Sequence, residues 1–169
     1  MIVALAMTSC ELFNVDVDTE FSGVMDINVE ENMAKASAVS THFYDTITID
    51  PVNEDVEPYV DKIDEVGVNN VTATVTYVSE ENVTILKGGI VTITAPGKDD
   101  AQYILQNEWN IVLNAEFPLY DQDGFYGEIS AIIEQLEPIT IEMDGYSTVA
   151  GVTIGLEFNI GATVSGSIF

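Results

Sequence analysis

The chain has 169 residues, of which 29 are acidic and only four are basic, so its formal net charge is -25. Its length and its apolar fraction of 47% fit one globular domain with a substantial core. Such a charge argues against nucleic acid as a partner, since phosphate binding needs clustered Lys and Arg, and it disfavours anionic bilayer surfaces. The acidic surface serves solubility or, alternatively, collects divalent cations.

The chain opens with a short apolar run that leads to its only cysteine. Residues 2–7 are hydrophobic, Thr8 and Ser9 follow, and acidic and polar residues take over after Cys10. This stretch resembles the end of a bacterial lipoprotein signal peptide, most closely that of the Bacteroidota. The resemblance implies that residues 1–9 are a signal-peptide remnant, that Cys10 is lipidated, and that the protein is anchored to the outer membrane. The residues alone leave open a first strand with a buried Cys10 thiol.

Alternation of apolar and polar residues predicts β-strands along most of the chain. From Phe13 to Val29 the apolar residues occupy odd positions and the acidic residues even ones, with a bend at Gly23. Glycine-containing pairs predict a hairpin turn at Gly88-Gly89 and a further turn at Asp144-Gly145. The other predicted strands lie near 43–49, 71–77, 83–87, 89–95, 109–117, 139–143 and 151–169.

Two segments have helical spacing instead. In residues 54–67 the apolar side chains recur every three to four positions, Pro58 falls in the first turn, and Gly67 is placed to end a helix. Residues 127–138 show the same spacing and close with Pro138. We therefore expect two short helices that cover an open end of the sheets.

These elements together predict an all-β fold. Short strands separated by turn signals favour an antiparallel two-sheet β-sandwich of the immunoglobulin-like kind, with one or two short covering helices. Residues 10–169 are expected to form this single domain. A small closed barrel is the alternative.

The loop LYDQDGFYGE, residues 119–128, carries the sharpest candidate for a metal site. Asp121, Asp123 and Glu128 surround two glycines, and carboxylate oxygens on a turn are ligands that calcium prefers. The spacing does not fit an EF-hand loop. Calcium is thus the one cofactor that the sequence suggests, and a solvated acidic turn is the alternative.

The same loop is rich in aromatic residues. Tyr120, Phe125 and Tyr126 flank its carboxylates, and exposed aromatic side chains beside polar groups often form contact surfaces. This predicts a binding surface at the loop. The alternative is that the rings pack beneath the loop.

Catalytic chemistry is sparse. The only histidine, His42, lies in a predicted strand, and no phosphate-binding glycine loop accompanies it. The many carboxylate pairs do not single out a hydrolytic site. We therefore expect no enzymatic activity.

Threonines at every second position form rows on three predicted strands. Thr72, Thr74 and Thr76 make one row, and residues 46–48 and 92–94 repeat the spacing. Adjacent rows would make a flat surface of hydroxyl and methyl groups, of the kind found in ice-binding proteins. Threonine is also a favoured strand residue for a solvated face.

Two classes of function remain. The first is a non-catalytic binding or accessory module of a cell-envelope assembly, which has protein partners and reaches the membrane through a lipid anchor. The second is a filament or pilus-like subunit that self-associates by β-strand addition. The long final strand distinguishes them, because a module keeps it in its own sheet and a filament subunit donates it.

Overall fold

A computed structural model of the chain describes residues 13–31 and 40–168. Residues 1–9 and Cys10 lie outside the described residues, so the lipidation site and the signal-peptide remnant stay predictions. The strands are β1 (Phe13–Val29), β2 (Thr41–Ile49), β3 (Ile63–Val78), β4 (Val83–Ile85), β5 (Ile90–Thr94), β6 (Ala101–Ile104), β7 (Trp109–Ile111), β8 (Glu116–Pro118), β9 (Ile139–Ser147) and β10 (Val152–Ile168). A 3₁₀ helix spans Glu57–Lys62, and α1 spans Phe125–Ile133.

The first sheet, sheet A, has the strand order β1-β10-β3-β8. The strand β10 lies at its centre and pairs antiparallel with β1 from Phe13↔Ile168 to Val29↔Val152 and with β3 on the other side. The apolar residues of β10 from Val152 to Val164 point inward and are buried, as the sequence alternation predicts. The final strand therefore completes the sheet of its own chain.

The second sheet, sheet B, is built around β9, which pairs with β2 on one side and with β5 and β4 on the other. Beyond them, β6 pairs with β5 and β7 pairs with β4. The pairing of β4 with β7 and that of β5 with β6 have the same antiparallel register, as the partners Val83↔Ile111 and Ile90↔Ile104 show. Residues 83–94 and 101–111 therefore form one long hairpin whose pairing is interrupted in the middle.

Both sheets turn one face toward a single hydrophobic core. Phe21 and Met25 of β1 and Phe158 of β10 meet the inner residues of sheet B there, such as Ile141 and Met143, and all are almost completely buried. Each such side chain contributes about 1.5–3 kcal/mol on leaving water. The prediction of an all-β, antiparallel two-sheet sandwich with short covering helices is confirmed.

The two helices differ from the predicted boundaries. Residues 63–67 belong to β3 rather than to a helix, because Ile63 and Val66 pair with Gly166 and Val164 of β10. Helix α1 begins at Phe125, two residues early, and ends at Ile133, ahead of Leu136, whose φ is +56°. Among the described residues, neither helix is long and apolar enough to cross a lipid bilayer.

The predicted strand 109–117 is divided between the two sheets. Trp109–Ile111 joins sheet B as β7, while Glu116–Pro118 joins sheet A as β8. Between them the chain turns at Asn114, whose φ is +64°, and Leu113 is 55% exposed. The prediction of one continuous strand over residues 109–117 is wrong, because the alternation continues across a crossing between the two sheets.

Two predicted turns are also different in the structure. The segment Gly88-Gly89 does not close a hairpin, because β4 and β5 do not pair with each other. Both pair with the same edge of β9, one after the other. The strand β9 runs straight through Gly145. A Cβ atom at Gly145 would come within 2.9 Å of the Phe43 ring, so this glycine serves close packing and not a turn.

Candidate functional site: an aromatic cleft between the sheets

The predicted calcium loop serves first as the start of helix α1. Gly124, with φ +92°, precedes the helix, and the Asp121 carboxylate accepts a hydrogen bond of 3.0 Å from the backbone N–H of Tyr126. A carboxylate at this place satisfies one of the free N–H groups of the first turn and is favoured by the helix dipole. Asp121 therefore has a structural role at the helix end.

Asp123 and Glu128 face a different direction, toward a cleft of about 540 Å³ between α1 and the turn that joins β5 to β6. Lys98 and Asp99 line the opposite wall of this cleft. Within residues 13–31 and 40–168, no three His, Cys, Asp or Glu side chains come together in a way that could hold a metal ion. Asp121, Asp123 and Glu128 do not form such a group among these residues, and calcium binding by them stays a prediction.

The three aromatic residues of the loop have three different environments. Phe125 is fully buried, with its ring centroid 5.6 Å from that of Tyr103, so the prediction of an exposed contact residue is wrong for Phe125. Tyr126 is half-buried, and its hydroxyl donates a 2.9 Å hydrogen bond to the carbonyl oxygen of Leu119. Tyr120 alone is strongly exposed, at 65%.

Tyr120 forms part of an aromatic cleft where the edges of the two sheets meet. The cleft has a volume of about 270 Å³, and residues from β6, β7, β8 and the adjoining loops line it. We define the aromatic cleft by its lining residues, Tyr103, Gln106, Asn107, Glu108, Trp109, Phe117, Pro118, Tyr120 and Gln122.

The floor of the aromatic cleft contains a stacked pair of rings. The Trp109 indole and the Phe117 ring are nearly parallel, at 6°, with their centroids 4.6 Å apart. Trp109 is 7% exposed, so packing holds its ring in place. Offset-stacked rings at this separation gain about 0.5–1.5 kcal/mol beyond the area that they bury. The site therefore has a rigid aromatic floor.

Amide and carboxylate groups surround this floor. The Gln106 side-chain amide donates to the Ile104 carbonyl oxygen at 3.2 Å and lies 3.5 Å from the Gln122 amide oxygen. Asn107 and Glu108 complete the polar rim. Burial raises the pKa of Tyr103. A tyrosine hydroxyl is neutral at physiological pH even without this shift, and it can donate a hydrogen bond.

Of the predicted binding residues only Tyr120 lies in the aromatic cleft. Trp109 and Phe117 stand at inward positions of one predicted strand and were therefore assigned to the core, while Tyr103 lies in β6, a strand that the sequence pattern did not predict. A signal was present in the segment QNEW, residues 106–109, where two amides and a carboxylate immediately precede the only tryptophan. Loops carry a disproportionate share of binding residues, and tryptophan is enriched at binding interfaces.

The lone histidine lies far along the chain from the aromatic cleft, in β2. The Nε2 atom of His42 is 3.0 Å from a carboxylate oxygen of Asp144, and both side chains are about half exposed. The Tyr146 ring meets the imidazole edge-on, at a centroid distance of 5.3 Å. His42 is thus a surface residue of sheet B.

The threonine rows are partly brought together. Thr46 and Thr48 of β2 and Thr92 and Thr94 of β5 flank β9 on the outer face of sheet B, with Thr140 between Thr48 and Thr94. The carboxylate of Glu142 occupies the equivalent place between Thr46 and Thr92. The row of residues 72–76 lies on sheet A, so the three rows do not form one surface.

No known protein family matches the chain, and no curated protein or solved structure is significantly similar to it. The geometry of the described residues is therefore the basis for a functional proposal.

Proposed function

We propose that this protein is a non-catalytic binding module of the bacterial cell envelope, held at the outer membrane by a lipid on Cys10. The observation that carries the binding role is the aromatic cleft, where an exposed Tyr120 stands beside the stacked Trp109 and Phe117. Binding sites combine a few rigid aromatic side chains with well-placed polar groups. Trp109 lies on β7 and Phe117 on β8, so the stacked pair is held in place by the two sheets before any ligand binds.

The position of β10 supports the module over the filament subunit. The strand pairs with β1 and β3 of its own chain over most of its length, and its inner residues are buried in the core. Donation of β10 to a neighbour would remove the centre of sheet A. In sheet A the long strand open to such addition is β1, since the other edge strand, β8, spans only Glu116–Pro118.

The exposed side chains of β1 oppose such addition. Asp16, Asp18 and Glu20 stand at successive outward positions of this edge strand. A second copy that paired there would bring like charges together, and charged residues on an edge strand are a known protection against edge-to-edge association. We therefore expect a monomeric module.

The anchor is tested by the intact mass of the protein extracted from membranes of its native host. The proposal expects a chain that starts at Cys10 and carries glyceryl and acyl groups. An unmodified chain starting at Met1 would contradict the anchor. Light scattering during size-exclusion chromatography tests the oligomeric state, for which we expect a monomer; a large species that resists dilution would favour the filament subunit.

A further inference from the structure

We infer that the aromatic cleft binds a neutral carbohydrate and accommodates about one sugar ring of a longer glycan. This inference rests on the proposed binding function and names its ligand class. The cleft contains aromatic rings, amide groups and one carboxylate, and each of these matches a different part of a sugar ring.

The aromatic rings match the apolar face of a sugar. A pyranose ring presents a flat surface of C–H groups, which packs against the face of an aromatic ring. Tyr120 is 65% exposed on the wall of the cleft, so its ring is available for such stacking. The stacked Trp109 and Phe117 hold the floor rigid, which reduces the ordering cost of binding.

The polar rim matches the hydroxyl groups. Gln106, Asn107 and Gln122 each carry a donor and an acceptor in one plane, while the Glu108 carboxylate only accepts. A sugar hydroxyl both donates and accepts, so neighbouring hydroxyls can bind an amide through two hydrogen bonds. This mixture of groups fits a polyhydroxylated ligand better than an apolar one.

Charge argues against an anionic glycan. The lining of the cleft contains Glu108 and no lysine or arginine, and the whole chain carries a net charge of -25. A sulfated or uronate-rich polymer would be repelled by this field and would find no cation to pair with.

The volume sets the size of the bound unit. About 270 Å³ is slightly below the usual range for a drug-sized ligand, which begins near 300 Å³. One ring fits this volume, and the open sides of the cleft leave room for the chain to continue.

A proline-rich peptide is the competing ligand, since such peptides also dock in aromatic-lined grooves. Its prolines lack N–H groups, however, so Glu108 would have few donors to accept from. A sugar supplies a donor at every hydroxyl. The carboxylate at the rim therefore favours the glycan.

Titration of the purified protein with neutral oligosaccharides tests this inference. The probes are gluco-, manno-, galacto- and xylo-configured oligosaccharides, a sulfated oligosaccharide and a proline-rich peptide. Trp109, the only tryptophan, lines the cleft, so its fluorescence reports binding directly, with calorimetry as a second readout. We expect at least one neutral oligosaccharide to bind and the sulfated one not to bind.

Matched variants tie binding to the cleft. Tyr120→Ala removes an exposed ring and should weaken binding at least tenfold, while Tyr77→Ala, which removes a 53% exposed ring outside the cleft, should leave it unchanged. Equal weakening in both variants, or no binding by any neutral oligosaccharide at about 10 mM, would overturn the inference. Binding of the peptide that depends on Tyr120 would show that the ligand is not a glycan, while it would still support the proposed binding function. The mass of the native protein tests the anchor independently of all these results.

Discussion

The indole ring of Trp109 in sheet B lies nearly parallel to the ring of Phe117 in sheet A, with centroids 4.6 Å apart. Only seven residues separate them in the chain, and between them the chain leaves one sheet and enters the other. The crossing is held by backbone hydrogen bonds between β3 and the connecting loop, from Val75 N–H to the Ala115 carbonyl and from Asn114 N–H to the Val75 carbonyl. The pair thus closes one side of the sandwich and forms the floor of the aromatic cleft.

Replacement of Trp109 by Ala should destabilise the domain by about 3–5 kcal/mol, because it leaves a large cavity between the sheets. Trp109 is 7% exposed, whereas Tyr77 is 53% exposed, so Tyr77→Ala should cost no more than about 0.5 kcal/mol. Urea unfolding followed by circular dichroism measures both changes without depending on tryptophan fluorescence. Similar stabilities for the two variants would contradict the structural role of the ring pair.

Deletion of residues 151–169 should unfold the isolated domain. The deletion removes an inner strand of sheet A and seven buried apolar side chains from Val152 to Val164. Phe158→Ala is a milder test and should cost about 3–5 kcal/mol, while Asn159→Ala on the outer face should change stability by about 0.5 kcal/mol or less. A well-folded, monomeric truncated protein would show that β10 is dispensable.

Replacement of Gly166 by Ala should destabilise the protein by about 1–3 kcal/mol, the usual cost of forced overpacking. A Cβ atom there would collide with the backbone carbonyl oxygen of Lys62, which cannot move aside as a side chain could. Gly67→Ala is the matched control, since its nearest neighbour, the Thr163 carbonyl oxygen, is 3.9 Å away. Thermal unfolding should separate the two variants; an unchanged melting temperature in Gly166→Ala would argue against the close pairing of β10 with β3.

Replacement of Asp121 by Ala should cost about 1 kcal/mol, as loss of a carboxylate that caps a helix start usually does. The reason is its 3.0 Å hydrogen bond from the Tyr126 N–H. Asp99→Ala removes the same charge from the opposite wall of the neighbouring cleft and should have a smaller effect. The same thermal scans with added calcium test the metal prediction, which expects a rise in melting temperature that Asp123→Asn abolishes.

The melting temperature should rise between low and moderate salt. The net charge of -25 causes self-repulsion in the folded state, and salt screens interactions between exposed charges beyond about 10 Å at 0.1 M. Differential scanning calorimetry in increasing sodium chloride measures this effect. The same melting temperature at both ionic strengths would show that the acidic side chains are too well separated to repel.

The sequence by itself determined the fold class and the strands with one buried face. In β10, and in β1 apart from Gly23 and the exposed Val24, the period of two is unbroken, so Phe21, Met25, Leu156 and Phe158 could be assigned to the core from spacing alone. Spacing also identified α1, where the buried Phe125, Ile129 and Ile132 follow helical periodicity, although the predicted start missed Phe125.

Only the tertiary structure decided which sheet each strand joins and which side chains from different strands and loops lie together in the aromatic cleft. Residues 63–67 have helical spacing but form strand because they pair with β10, whose hydrogen bonds outweigh a weak local preference. The alternation of residues 109–117 is the same on either side of Asn114, so it does not reveal the crossing that places Trp109 against Phe117. Side-chain periodicity shows that one face of a strand is buried, but it does not show which other element covers that face. The aromatic cleft depends on such a contact, that of Trp109 with Phe117.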